Sequence, residues 1–263
     1  MITLNAHWSK SIEAKLVNTT AWGNLVLMCL LSATWQMQAQ DNKAPYPNMA
    51  RIEQYMIDHN AEIALARSAA PESISRDAEV LVLGRKGYET AINGKNGFVC
   101  MVARSWMSPF DSPEFWNPKI RAPECYNPPA VLSFLPYALK TTTMALSGFS
   151  KSQIFDGIKA AVDKKELGAP ASGSLIYMMS KEAYFTDKDN PIFCHLMYDL
   201  PRIDGAAWGA NLVGSPGLFD GSPIFFQQLD PAPITEFYVA MGTCSDGTSA
   251  NADSNSTNHS HTH

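Results

Sequence analysis

Histidine is the side chain that changes charge most readily near neutral pH, and of the six in this chain only His59 and His195 lie outside the two ends. His59 falls on the apolar face of an expected helix, the place of a satisfied core histidine. His195 lies in the strand-like run Ile192–Leu200. Side chains alternate along a strand, so Ile192, Cys194, Leu196, Tyr198 and Leu200 share one face, while Phe193, His195, Met197 and Asp199 share the other. The first set reads as the core face, which leaves His195 half exposed and available as a general base or a ligand contact. Alternation also excludes a dyad between Cys194 and His195. Asp199 shares the face of His195 but is four residues away, roughly 13 Å along an extended strand, too far for a direct hydrogen bond. A partner for His195 therefore comes from elsewhere in the chain, with Arg104, Asp111, Tyr177 and Arg202 the residues to watch.

Standard signatures of other chemistries are absent. There is no P-loop or Rossmann glycine spacing, no Cys-x-x-Cys, no His-Glu-x-x-His and no Gly-x-Ser-x-Gly, so neither a cofactor nor a metal is expected. His259, His261 and His263 alternate at the C-terminus and read as part of a spare tail. A second kind of site is suggested by aromatic residues in two loops. The proline-aromatic stretch Met107–Pro129 and the glycine-rich stretch Asp204–Gly221, with Trp208, would wall a small-molecule pocket lined by Trp106, Trp116 and Tyr126. Arg104, Trp106, Trp116, Tyr126, Tyr177, Asp199 and Trp208 are the candidate ligand contacts beside His195.

These residues need a frame. The N-terminus has Lys10 and Lys15, the apolar run Ala21–Trp35 and the polar, small-residue sequence Gln36–Gln40, the order of a secretory leader cut after Ala39. The apolar run is shorter than the about 20 residues that span a bilayer. Residues 1–39 are thus read as a signal peptide, 40–47 as an exposed lead-in, 48–244 as one domain and 245–263 as a disordered Ser/Asn/His-rich tail. After cleavage Cys100, Cys125, Cys194 and Cys244 remain, an even set suited to disulfides in an oxidising compartment. The pair Cys100–Cys125 is favoured because it would clamp the proline-rich loop between them.

Inside the domain, Asn48 caps an expected helix that runs to Ala70, with Met49, Ile52, Met56, His59 and Ile63 on one face. Val80–Leu83 reads as a buried strand. Tyr88–Ile92 and Gly97–Trp106 flank Asn93-Gly94, a hairpin signal. Proline forbids regular structure over Met107–Pro129, which is expected to be an ordered loop. A helix is expected over Ala130–Leu146, with Pro136 either kinking it or delaying its start. Another follows from the Ser150/Gln153 capping box to Gly168. Ser174–Ser180, Ile192–Leu200, Pro223–Leu229 and Ile234–Met241 are strands. The order predicts an α+β domain with an antiparallel sheet covered by helices on one face, of profilin-like or PAS-like kind.

The segments Gly87-Tyr88-Glu89-Thr90-Ala91, Arg104–Phe110, Glu114-Phe115-Trp116-Asn117-Pro118, Cys125–Ala130 and Asp204–Gly209 resemble those of uncharacterised exported proteins of soil bacteria, over about residues 71–247. The resemblance implies export and a bacterial source, and carries over no catalytic residue. Composition agrees with a globular chain: 46% hydrophobic, 17% charged and a net charge of −5. That acidity excludes the basic surface needed for nucleic acid. The expected function is a periplasmic or secreted small-ligand binding or sensing module. A hydrolase using His195 as general base is the alternative, and a structural or interaction protein of the envelope a third reading. Oligomeric state is open.

Overall fold

The computed structural model describes residues 45–188, 193–209 and 224–250, with backbone alone for 224–226. The expected leader, Ile192, most of the glycine-rich loop and residues 251–263 lie outside the described residues. The centre is an eight-stranded sheet, antiparallel except for one parallel pair, β1 with β3. Its strands are β1 (Glu79–Gly84), β2 (Gly87–Ile92), β3 (Val99–Ala103), β4 (Ala122–Tyr126), β5 (Leu175–Met178), β6 (His195–Pro201), β7 (Ile224–Gln228) and β8 (Ile234–Ala240). They stand in the order β2-β1-β3-β4-β5-β6-β8-β7.

The helix expected from Asn48 to Ala70 is shorter. Tyr55 is driven into the core, where its hydroxyl donates to the Trp116 carbonyl at 2.8 Å and receives the Ala50 N–H. The chain wraps around that ring through a 3-10 turn at Ile52–Gln54, and α1 (His59–Arg67) begins where the Asp58 carboxylate captures two free N–H groups. His59 is consequently exposed in the first turn rather than in the core. A short α2 (Glu72–Ser75) follows Pro71.

The hairpin also lies elsewhere. β1 and β2 are joined by the two-residue turn Arg85–Lys86 between Gly84 and Gly87, where Gly87 takes φ +145°. Asn93-Gly94 instead belongs to a crossover that carries the chain to the other side of β1. A Cβ on Gly94 would lie 2.3 Å from the Glu79 nitrogen, so only glycine fits there. The proline-aromatic stretch is ordered, as expected, but it also contains β4, a fully buried strand. Pro123 is tolerated because β5 pairs with β4 only at Cys125 and Tyr126, so no β5 hydrogen bond is lost.

Helices pack on both faces of the sheet, where one covered face was expected. α1, with Ala66, Ala69 and Ala70, covers Val80, Cys100, Val102 and Cys125 on the outer face. On the inner face lie α3 (Pro128–Ser133), α4 (Leu135–Leu146) and α5 (Lys151–Asp163). The break at Phe134 precedes Pro136, and the Ser150/Gln153 capping box is formed. Glu62 of α1 ties the outer layer to the sheet. Buried with 1% exposure, it accepts from Leu83 N at 3.0 Å and from Arg104 Nη2 at 2.8 Å; Arg104 Nε donates to the Tyr55 carbonyl at 2.8 Å and Nη1 to that of Val102.

Disulfides join Cys100 to Cys125, directly opposite on β3 and β4, and Cys194 to Cys244, just before β6 and after β8. The fold continues past Ser245, where disorder was expected. Ser245 N donates to the Met179 carbonyl at 2.8 Å, Ser245 Oγ to that of Ser68 at 2.6 Å, and Ala250 N to that of Gly242. Removing one partner of the buried ion pair leaves an uncompensated charge, so Arg104→Met is expected to cost about 3–5 kcal/mol. Urea unfolding at neutral pH measures it; a loss under about 1 kcal/mol would place the pair with exposed bridges.

Candidate functional site

Three carboxyl groups rise from the inner face of β4, β6 and β8: Glu124, Asp199 and Glu236, exposed by 7%, 1% and 4%. Asp199 and Glu236 are cross-strand neighbours, and Met197 faces Tyr238 in the next inner-face pair. Alternation gives each glutamate a tyrosine two residues on and on the same face. Tyr126 donates to Glu124, and Tyr238 donates to Glu236 at 2.6 Å. Among the described residues no lysine or arginine forms an ion pair with any of the three acids, and both oxygens of Asp199 lack a hydrogen-bond partner.

Burial without a counter-charge favours the protonated acid. It pushes Glu124 up to about 8, with the Tyr126 hydrogen bond opposing and the Glu236 charge adding to the rise. Burial likewise lifts Glu236 to about 7 against the bond from Tyr238. Asp199 is raised well above the carboxylate range by burial, then by Glu236 and Glu124.

His195 stands on the same face. Its ring stacks on Phe193 at 4.2 Å between centroids and lies 6.1 Å from Phe185 and 5.4 Å from Tyr238. Nδ1 is 2.8 Å from the Phe193 carbonyl. A carbonyl only accepts, so Nδ1 carries the proton and Nε2 the lone pair. Burial drives the imidazole down to about 4, against the pull of that carbonyl, so it is neutral at physiological pH. Nε2 is buried and has no hydrogen-bond partner.

Glu124, His195, Glu236 and Tyr238, but not Asp199, line a cavity of about 400 Å³ together with apolar residues that include Phe134, Phe185 and Phe193. The residues singled out from the sequence are dispersed around it. The expected core face of β6 is reversed: His195, Met197 and Asp199 are buried, whereas Tyr198 is exposed and Leu196 and Leu200 are half-buried. The reason is that α1 covers the outer face only over β1, β3 and β4. Cys194 is buried in its disulfide.

Arg104 borders the cavity with its guanidinium engaged by Glu62. Tyr126 holds Glu124. Trp106 lines a neighbouring cavity of about 480 Å³, together with Asp111, and donates to Thr142 Oγ1 at 2.9 Å. Trp116 packs against Phe115 and borders a third cavity. The expected pocket of Trp106, Trp116 and Tyr126 is therefore not formed as one space. Tyr177 lies on the outer face near Phe98, Trp208 is exposed beside Phe237, and Arg202 pairs with Asp230. Glu124, Glu236 and Tyr238 were missed; the available signal was an acid in phase with the apolar residues of its strand, as Glu236 is with Ile234.

The raised acids make stability depend on pH. Protons held by the fold between the unfolded and folded values are lost as pH rises through the folded values. For Glu124 and Glu236 the contribution therefore declines from about pH 4.5 towards 8 and 7, while His195, lowered to about 4, opposes the decline only below its ordinary 6.5. The melting temperature is expected to fall between about pH 6.5 and 8, and to fall less in Glu124→Gln. A flat wild-type profile across that window would refute the assignment.

No family model matches the chain, and neither a curated protein nor a solved structure matches it.

Proposed function

We propose that the chain is an exported binding or sensing module that takes a small ligand in the cavity beside β4, β6 and β8. The observation that carries this reading is the cavity of about 400 Å³ whose mainly apolar lining includes the polar residues His195, Glu124 and Glu236. An apolar lining with a few polar groups is what small-molecule sites use.

Export is supported by the leader-like N-terminal sequence and by two disulfides, which persist in oxidising compartments. Among the described residues no helix is long and apolar enough to cross a membrane. The resemblance to exported proteins of soil bacteria and the profilin-like or PAS-like analogy of element order belong to the same proposal.

The hydrolase reading is less well supported. A general base needs a group to deprotonate within hydrogen-bond reach and a pKa near the working pH. His195 holds only the Phe193 carbonyl, and burial depresses its basicity. A role in envelope interactions would draw on the outer face that carries exposed Tyr198 and Trp208.

The test is native mass spectrometry of the full chain, produced in a bacterium and recovered from its periplasm, against its denatured mass. The expected result is a bound small molecule that leaves on denaturation and whose occupancy drops about tenfold in His195→Ala. Equal native and denatured masses, persisting after incubation with a small-molecule extract of the host, overturn the reading.

A further inference from the structure

We propose that the ligand is an uncharged molecule with a long, flexible apolar chain, which runs from the cavity beside β4, β6 and β8 into the neighbouring cavity of about 480 Å³. This rests on the cavity reading above and names the class of molecule that the site takes. The two spaces adjoin: Met107, Ser108, Pro109, Phe134, Gln227 and Leu229 line both. These residues come from three separate places in the chain, the segment after β3, the break between α3 and α4, and the end of β7. Met107, Pro109, Phe134 and Leu229 are apolar, so a chain lying along this common wall stays on apolar surface as it passes from one space to the other.

The walls on either side continue the apolar track. Phe185 and Phe193 line the first space, and Tyr137 of α4 with Phe155 and Ile158 of α5 line the second. Three methionines, Met107, Met178 and Met197, also line the first. Their unbranched thioether side chains adapt to a guest of variable conformation, which suits a flexible chain better than a rigid ring system.

Charge decides the rest of the assignment. Among the described residues no lysine lines either cavity, and Arg104, the arginine that does, is committed to Glu62 and to main-chain carbonyls. An anionic head group would therefore meet Glu124 and Glu236 with no free cation beside them. A cationic one gains little, because Tyr126 and Tyr238 already donate to these two acids and burial holds both towards the protonated form. An uncharged hydroxyl or ester can instead share hydrogen bonds with Ser108 and Gln227, which face both spaces.

The experiment is photolabelling of the full chain with two hexadecanol analogues, one carrying a diazirine beside the hydroxyl and the other at the chain end, with the labelled residues read by peptide mass spectrometry. The two probes are expected to mark different cavities, one of them around Phe185, Phe193 and Met197 and the other around Tyr137, Phe155 and Ile158. Unlabelled hexadecanol should block both, and hexadecanoate and hexadecylammonium, each below its micelle-forming concentration, should need about tenfold more to do so. Met107→Trp and Leu229→Trp place bulk on the common wall, with folding checked by melting temperature. Each is expected to weaken hexadecanol about tenfold or more, since each buried methylene is worth about fourfold, while changing hexanol by less than about twofold. Labelling of a single cavity by both probes, or unchanged hexadecanol affinity in both folded variants, overturns the spanning chain and leaves the cavity reading intact. Blocking by either charged analogue at or below the concentration of hexadecanol overturns the uncharged class. Failure of hexadecanol to bind overturns the inference as a whole, and ligand retention in native mass spectrometry then decides the cavity separately.

Discussion

The buried pair between Arg104 and Glu62 organises both sides of the sheet. On the outer side it locks α1 to β1 through the Leu83 N–H and to the end of β3 through the Val102 carbonyl. Its desolvation is tolerated because each of the three guanidinium nitrogens has a hydrogen-bond acceptor. On the inner side its effect is subtractive. Arg104 is the cation at the edge of the cavity, and its commitment to Glu62 leaves Glu124 and Glu236 without a protein counter-charge. A stable scaffold and an uncompensated site are thus two results of one ion pair.

Alternation along strands then builds the site cheaply in sequence terms. Glu124 with Tyr126, and Glu236 with Tyr238, place an acid and a phenol on the same face of two strands, with β5 and β6 between them. The phenols soften the burial of the carboxyls without neutralising it. Between the two pairs, β6 contributes His195, whose aromatic surroundings keep it uncharged and so keep it an acceptor.

Local signals were legible in the chain. The Ser150/Gln153 capping box, the break before Pro136 and the runs that became β1 and β5–β8 depend on neighbours in sequence, and they form where expected. The failures share a non-local cause. Which face of β6 is buried depends on how far α1 reaches across the sheet, a property of residues more than a hundred positions upstream. Asn93-Gly94 has the chemistry of a tight turn, but its glycine is needed for close approach to Glu79. The strand β4 is concealed by Pro123, and Glu124, between a proline and a cysteine, shows no periodicity of its own. Glu236 was the visible clue, lying in phase with Ile234 and Tyr238 on a strand otherwise read as core.

The Cys194–Cys244 bond has a topological consequence as well. Its loop of 50 residues encloses β6, β7 and β8 and the connections between them. A peptide-bond break anywhere inside that loop leaves a two-piece molecule still joined by a covalent link, with the cross-strand pairing of β6 and β8 holding the halves in register. Cleavage and loss of the polypeptide are thereby made separate events, the second needing a reductant.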